Sequence, residues 1–180
     1  MDSKAGAPRE IAVPVSVFGA LRTQLAKEAG ILPMVHALHH AGYEAGTGAA
    51  PMLVGSAKSG PAALTQDVFW VKLADFFSQR GWGTLRHEAA HTAVGLLSSV
   101  DWAEAGDGEV DPDASCCFST GFLSGLLSEL AGGPVAVLEV GCRTRGEDKC
   151  QFAFGSETAI HDLYGRLLDG VDLDGALAAL

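Results

Sequence analysis

The sequence predicts an α+β fold, an antiparallel sheet built from two hairpins with helices packed on it. Three observations carry this. Apolar residues recur at helical spacing through the first eighty positions. The period then shortens to that of strands over 82–99 and again over 134–154, each time as two short runs around a tight turn. Helical spacing returns between the two hairpins and after the second.

Residues 1–12 read as a tail, 13–170 as one domain and 171–180 as a second tail that frays. The first helix spans 15–29, with Phe18, Leu21 and Leu25 on one face and Gly30 at its end. A second runs from Pro33 to Glu44, with proline in its first turn. The Gly-, Ala- and Ser-rich stretch from Gly46 to Gly60 continues as weak helix and then loop. A third helix, Ala62 to Gln79, aligns Phe69, Leu73, Phe76 and Phe77. Strands Trp82–Glu88 and Thr92–Ser99 turn at Ala89–His91. Asp101 is placed to cap a short turn containing Trp102, and Gly106–Asp113 is an acidic loop. The fourth helix, Phe118–Ala131, is capped by a nearby Ser or Thr and stopped by Gly132–Gly133. Strands Pro134–Gly141 and Lys149–Phe154 follow. Ser156 caps the last helix, Glu157–Leu168, whose stripe is Ile160, Leu163, Tyr164, Leu167 and Leu168.

With 180 residues, 48% of them hydrophobic, the chain can bury one proper core. A net charge of -10 with scattered basic residues excludes nucleic acid held through phosphates and docking on an anionic membrane. The first ten residues lack a secretory pattern and no run of apolar residues is long enough to span a bilayer, so the expectation is a cytoplasmic protein without membrane insertion. Thiols in that compartment stay reduced, so four cysteines point to metal or reactivity before disulfides.

Cys142 and Cys150 lie symmetrically about Gly146. A hairpin turn centred there sets them opposite each other, where Cβ atoms are about 4.5–5.5 Å apart and two thiolates can grip one ion. Glu139 stands three residues before Cys142, and an odd separation in a regular strand places the two on opposite faces. Both reach one ion only if the chain kinks between them, with Gly141 the candidate bulge. Cys116 precedes the fourth helix, whose dipole favours a thiolate. Three thiolates and a carboxylate leave two excess negative charges on a divalent ion, which Arg143, Arg145 and Lys149 are close enough in sequence to offset. Four ligands close the site, the pattern of structural zinc. A Cys142–Cys150 disulfide, or plain buried thiols, are the alternatives. Cys117 reads as a small buried hydrophobe.

The run Cys116-Cys-Phe-Ser-Thr-Gly-Phe-Leu-Ser-Gly-Leu-Leu-Ser-Glu-Leu130, with Glu139-Val-Gly-Cys142 and Gly146-Glu-Asp-Lys-Cys-Gln-Phe152, resembles the 4-vinyl reductase domain family. That family includes a protein of bacteriochlorophyll synthesis and the sensor domains of phenol-responsive transcription activators. The resemblance is strong over 116–154 and looser over 15–168. It implies a fold related to the ligand-binding domains of haem nitric-oxide sensors and Golgi transport-particle subunits, and a small-molecule-binding domain, commonly a homodimer. It also implies a zinc held by Cys116, Glu139, Cys142 and Cys150.

Phe69, Trp82, Trp102 and Phe122 are the candidates for an apolar ligand pocket between helices and sheet, with His87 as a polar anchor. His36, His39 and His40 on the second helix read as solvated or interface residues. Gly121 and Gly125, with Ser128, form a small face that permits close packing on the sheet or on a partner helix. No dinucleotide fingerprint, phosphate loop or nucleophile elbow is found, so no enzymatic activity is assigned. The expected function is a zinc-stabilised domain that holds a small hydrophobic or aromatic molecule as sensor or carrier. The alternatives are an accessory protein of tetrapyrrole synthesis that binds a porphyrin intermediate, and a cysteine-based redox switch.

Overall fold

The computed structural model describes residues 9–54, 65–106, 110–111 and 115–180. The acidic loop expected at Gly106–Asp113, the loop after Gly55 and the first turn of the third helix fall largely or wholly outside them. The described elements are α1 Ser16–Ala29, α2 Ile31–Val54, α3 Gln66–Ser78, β1 Arg86–Ala89, β2 Val94–Ser99, α4 Cys117–Ala131, β3 Ala136–Gly141, β4 Cys150–Gly155, α5 Glu157–Leu168 and α6 Leu173–Ala178. Two 3-10 turns, Ala103–Ala105 and Arg143–Arg145, precede α4 and β4. All strand pairs are antiparallel, in the order β1-β2-β4-β3, so β2 and β4 join the two hairpins into one sheet. Among the described residues no helix is long and apolar enough to cross a membrane.

Helices cover both faces. Leu97 and Phe152 turn toward a core made with α2, α3 and α4. Val94, Leu96 and Ala153 turn the other way, onto Ile160 and Leu163 of α5 and Ala176 and Leu177 of α6. Strict alternation along β2 and β4 produces this division. The stretch after Gly170, expected to fray, therefore belongs to the core. Asp172 caps α6 by accepting from Gly175 N at 2.7 Å, and Ala176 is fully buried. On α5, Ile160 and Leu163 are buried, whereas Tyr164 and Leu168, assigned to the same stripe, are exposed.

Two further expectations change. The first strand is shorter than Trp82–Glu88, because Gly81 and Gly83 have positive φ and Thr84 N and Thr84 Oγ1 donate to Asp101. Asp101 is thus occupied with Thr84 and Ser99 and does not cap the Trp102 turn, which has no side-chain cap. The second helix does not stop at Glu44 but runs 24 residues to Val54, through Gly46, Gly48 and Pro51. Packing explains this. A Cβ on Gly42 or Gly46 would lie 2.1 Å from Phe118 O or 2.0 Å from Phe122 O, and one on Gly121 or Gly125 would lie 2.0 Å from His39 O or 2.1 Å from Tyr43 O. Paired glycines let the α2 and α4 backbones touch, and that contact outweighs the poor helix propensity of the segment. The small face of α4 thus meets α2 rather than the sheet.

Candidate metal centre and ligand pocket

The local chain path builds the cysteine cluster. β3 and β4 pair Glu139 with Phe152, and then Gly141 with Gln151. Two steps along β3 match one along β4, so Val140 is the extra residue of a bulge. The bulge reverses the alternation between Glu139 and Cys142 and turns both toward the side of Cys150. The kink expected at Gly141 is present, one residue earlier. Gly141 makes room for a neighbouring side chain. A Cβ there would meet Glu147 Oε2 at 2.6 Å, and that oxygen accepts from Cys142 N at 2.9 Å.

One ligand atom each from Cys116, Glu139, Cys142 and Cys150 lies within 4.8 Å of the others. All three cysteines are fully buried and free. The Sγ atoms of Cys116 and Cys142 are 3.9 Å apart. A disulfide brings sulfurs to about 2.05 Å. Two thiolates on one tetrahedral zinc, with bonds of about 2.3 Å, stand about 3.8 Å apart. Glu139 supplies a second sign. Its Oε2 accepts from Cys116 N at 3.0 Å, but its Oε1 is buried and finds no hydrogen-bond partner. A buried carboxylate oxygen without a donor is costly, and a cation is the natural occupant beside it. The donor set and spacing fit zinc.

Ionisation within the cluster is mutually constrained. Burial, followed by the charge of Cys142, pushes the Glu139 carboxyl up to about 8. Hydrogen bonds from the thiols of Cys116 and Cys150 hold Cys142 far below the ordinary thiol range, and donating to Cys142 and Cys150 drives Cys116 far above it. Cys150 is lowered by Cys116 but raised by Cys142 and by burial, and ends at about 12. Without a cation the cluster shares protons around one thiolate, and a divalent ion would replace them. Arg145 Nη1 stands 3.5 Å from Glu139 Oε2 and offsets part of the negative charge. Lys149 instead faces Glu88 at 3.8 Å. Cys117 is buried and packs with Met34 and Leu38, the role of a small hydrophobe. Among the described residues no group of metal-ligating side chains includes His36, His39 or His40.

The first turn of α4 is held in an unexpected way. Its N-cap is Cys116, and no Ser or Thr side chain caps it. Instead Phe118 N and Ser119 N donate to Glu104, at 2.9 and 2.6 Å. Glu104 is buried, which pushes its carboxyl up against the opposing effect of its hydrogen bonds from Ser119 and Phe118. The sequence signal for Glu104 is weak: one acidic residue in an Ala-rich turn, beside a longer acidic loop.

The five expected pocket residues fall into two places. Trp82, Trp102 and Phe122 pack on one another in the interior, with ring centroids 5.5 Å apart for Trp82–Trp102 and 6.1 Å for Trp82–Phe122. Phe77 and Phe118 complete that cluster. Phe69 instead lines a pocket of about 360 Å³ with Gln66, Leu127, Leu130, Val135 and Phe154. His87 lies near it, its ring stacked on Trp70 at 3.8 Å, and Trp70 meets Phe69 edge-on at 4.7 Å. Burial lowers the His87 pKa, partly countered by Glu88. Trp70 Nε1 is buried without an acceptor among the described residues. A larger groove of about 610 Å³ runs between β3 and α5 and contains none of the five.

Residues 109–156 match the vinyl-4-reductase (V-4-R) domain family. No curated protein matches the chain. Solved structures share the fold. The phenol-responsive sensory domain of the transcription activator PoxR, solved with phenol, superposes with a TM-score of 0.69 at 18% identity, over 82% of this chain and 77% of that one. Subunit 3 of a trafficking protein particle complex from Naegleria fowleri, covalently bound to palmitic acid, gives 0.64 at 14% identity, over 78% and 91%. A vinyl-4-reductase family protein from Methanocaldococcus jannaschii gives 0.54 at 18%, over 81% and 83%. The four-stranded antiparallel sheet with its helices is thus a fold common to these proteins.

Proposed function

We propose that this chain is a zinc-stabilised domain that encloses a small hydrophobic or aromatic molecule, as a sensor or carrier. One observation carries the ligand part: the pocket of about 360 Å³ between the start of α3, the end of α4 and Phe154. Its volume sits in the lower part of the usual range for ligand sites, about 300–1,000 Å³, and its walls are almost wholly apolar. It suits a one- or two-ring molecule or part of an acyl chain better than a porphyrin. Trp70 Nε1 and His87 supply nearby polarity. That two proteins of the same fold hold phenol and palmitic acid supports the same use of the fold here. The zinc part rests on the orphaned Glu139 Oε1 and the sulfur spacing. Cys116, Glu139, Cys142 and Cys150 would fill all four positions, so the ion would hold structure and leave no open site for catalysis.

Reduced, buried thiols fit a cytoplasmic setting. Exposed Ile31 and Leu32 at the start of α2, with exposed Val13, Val15 and Leu21, offer an apolar surface for a second copy. Native mass spectrometry of the purified chain, paired with thermal melting, tests the reading. The expected result is one zinc per chain, a dimer, and a rise in melting temperature when phenol or palmitate is added. Leu130→Trp, which fills the pocket, should remove that rise and leave the zinc. A protein without zinc and indifferent to both probes would sink the reading.

A further inference from the structure

Three features meet in the first turn of α4. Cys116, the helix N-cap, carries a proposed metal ligand and has no oxygen with which to cap the helix. Its own N–H is taken by Glu139 Oε2 at 3.0 Å. The N–H groups of Phe118 and Ser119 are taken by Glu104. Two buried carboxylates, one of them a proposed ligand, therefore satisfy this helix terminus, where negative charge is favoured.

Glu104 reaches further in both directions. The Ser119 hydroxyl donates to Glu104 Oε2 and accepts from Trp102 Nε1 at 2.8 Å. Trp102 is 1% exposed and packs between Phe77, Trp82 and Phe152. The turn that carries Glu104 is itself anchored to the hairpin: Thr144 Oγ1, two residues past Cys142, donates to Ala105 O at 2.6 Å. The Ala103–Ala105 turn thus holds both segments that bring thiols to the cluster, α4 through Glu104 and the β3–β4 connection through Thr144.

We propose that Glu104 is a positioning residue of the metal centre, and that its hydrogen bond to Ser119 links the state of that centre to Trp102 in the aromatic interior. The inference rests on the zinc reading above. Glu104 fixes the angle at which Cys116 Sγ faces the hairpin thiols. When the ion leaves, the first turn of α4 relaxes, and Ser119 carries the change to the indole.

Zinc release to a chromophoric chelator and the ¹⁹F spectrum of 5-fluorotryptophan-labelled protein test this. The Trp102 resonance is assigned by its absence in Trp102→Phe. In the wild-type chain, zinc removal should shift that resonance. Glu104→Gln keeps volume but loses one acceptor oxygen, and should release zinc at least about tenfold faster, the scale typical of outer-shell partners. Ser119→Ala leaves the main-chain bonds to Glu104 in place. It should release zinc within about threefold of wild type, well under that outer-shell scale, and its Trp102 resonance should no longer respond to the metal. Zinc binding with wild-type release from Glu104→Gln, or a Trp102 signal blind to the metal, overturns this inference and leaves the zinc reading standing. A wild-type chain that neither carries nor takes up zinc overturns both.

Discussion

Replacing Gly46 by alanine tests the α2–α4 contact on which the interior is built. The new Cβ would sit 2.0 Å from Phe122 O, 2.8 Å from Phe122 C and 2.9 Å from Leu126 N, while real Cβ contacts stay beyond 3.0 Å. The obstacle is backbone, not a flexible side chain, so the helices must part by about 1 Å or more. Overpacking of this kind costs about 1–3 kcal/mol. Better helix propensity returns about 0.8–1.0 kcal/mol. With the clash at the upper end, the net loss is about 2 kcal/mol, or about 4–8 °C of melting temperature for a chain of this size. Gly48→Ala is the internal control. It lies two residues along the same helix with nothing within 4 Å of the added carbon, so only the propensity gain remains and the melting temperature should rise by about 2–4 °C. Both variants are to be melted in the same metal state, with urea titration confirming an unchanged slope. Gly121→Ala combined with Gly46→Ala should cost less than the sum, since one separation of the helices relieves both clashes. Equal shifts for Gly46→Ala and Gly48→Ala would refute the close-contact account.

Four further outcomes are expected. Cys142→Ser should lose zinc and melt on the order of 10 °C lower, since a ligand at about a thousand times its Kd contributes about 4 kcal/mol; unchanged melting and unchanged metal content would contradict a structural ion. Zinc retention should fall as pH is lowered, because protons compete for the thiolates and for Glu139, and zinc release followed against pH reads this directly. Asp101, whose carboxyl is held down by the hydrogen bond from Thr84 N, stabilises the fold above its unfolded pKa, and that contribution disappears as pH falls from 3.8 through the lower folded value; Asp101→Asn should be less stable at neutral pH, and its acid unfolding curve should lack that component. Ligand entry should slow amide exchange mainly in α3 and leave the first turn of α4 unchanged; protection confined to α4 would place the site elsewhere.

Much of this architecture is readable in the sequence, for physical reasons. The change of period at 82–99 and 134–154 locates both hairpins, and the odd spacing of Glu139 and Cys142 requires a bulge that the register shift supplies. Sequence reasoning fails where tertiary contact overrides local preference. Gly42 and Gly46 read as helix weakeners, yet they are the reason α2 can continue. Gly170 reads as a terminus, because the buried Ala176 and Leu177 of α6 come in a segment too short to show a period. Glu104 escapes notice because a long-range cap leaves no spacing signature: Phe118 and Glu104 are fourteen positions apart, with an acidic loop between them. The pocket residues divide in two for a related reason. Periodicity shows which aromatics are buried but not which of them pack on one another, as Trp82 and Trp102 do, and which border a space, as Phe69 does.

The division of labour along α4 follows from these contacts. Its first turn is held by Glu104 and Glu139 and carries Cys116, so an ion in the cluster fixes that end to the sheet. Its middle is locked on α2 through Gly121 and Gly125, where no side chain is available to repack. Only the last turns, with Leu127 and Leu130, border the pocket, and Ser128 fixes even these to Val135, whose N–H it accepts at 2.9 Å. A helix constrained along its whole length is a poor sensor of occupancy but a good wall. Opposite it, α3 rests on Leu73, Phe76 and Phe77 and leaves Val68 and Val71 exposed. A molecule entering between them would therefore displace α3 against a fixed α4. On this argument the metal contributes rigidity, and the response to a ligand is expressed in α3.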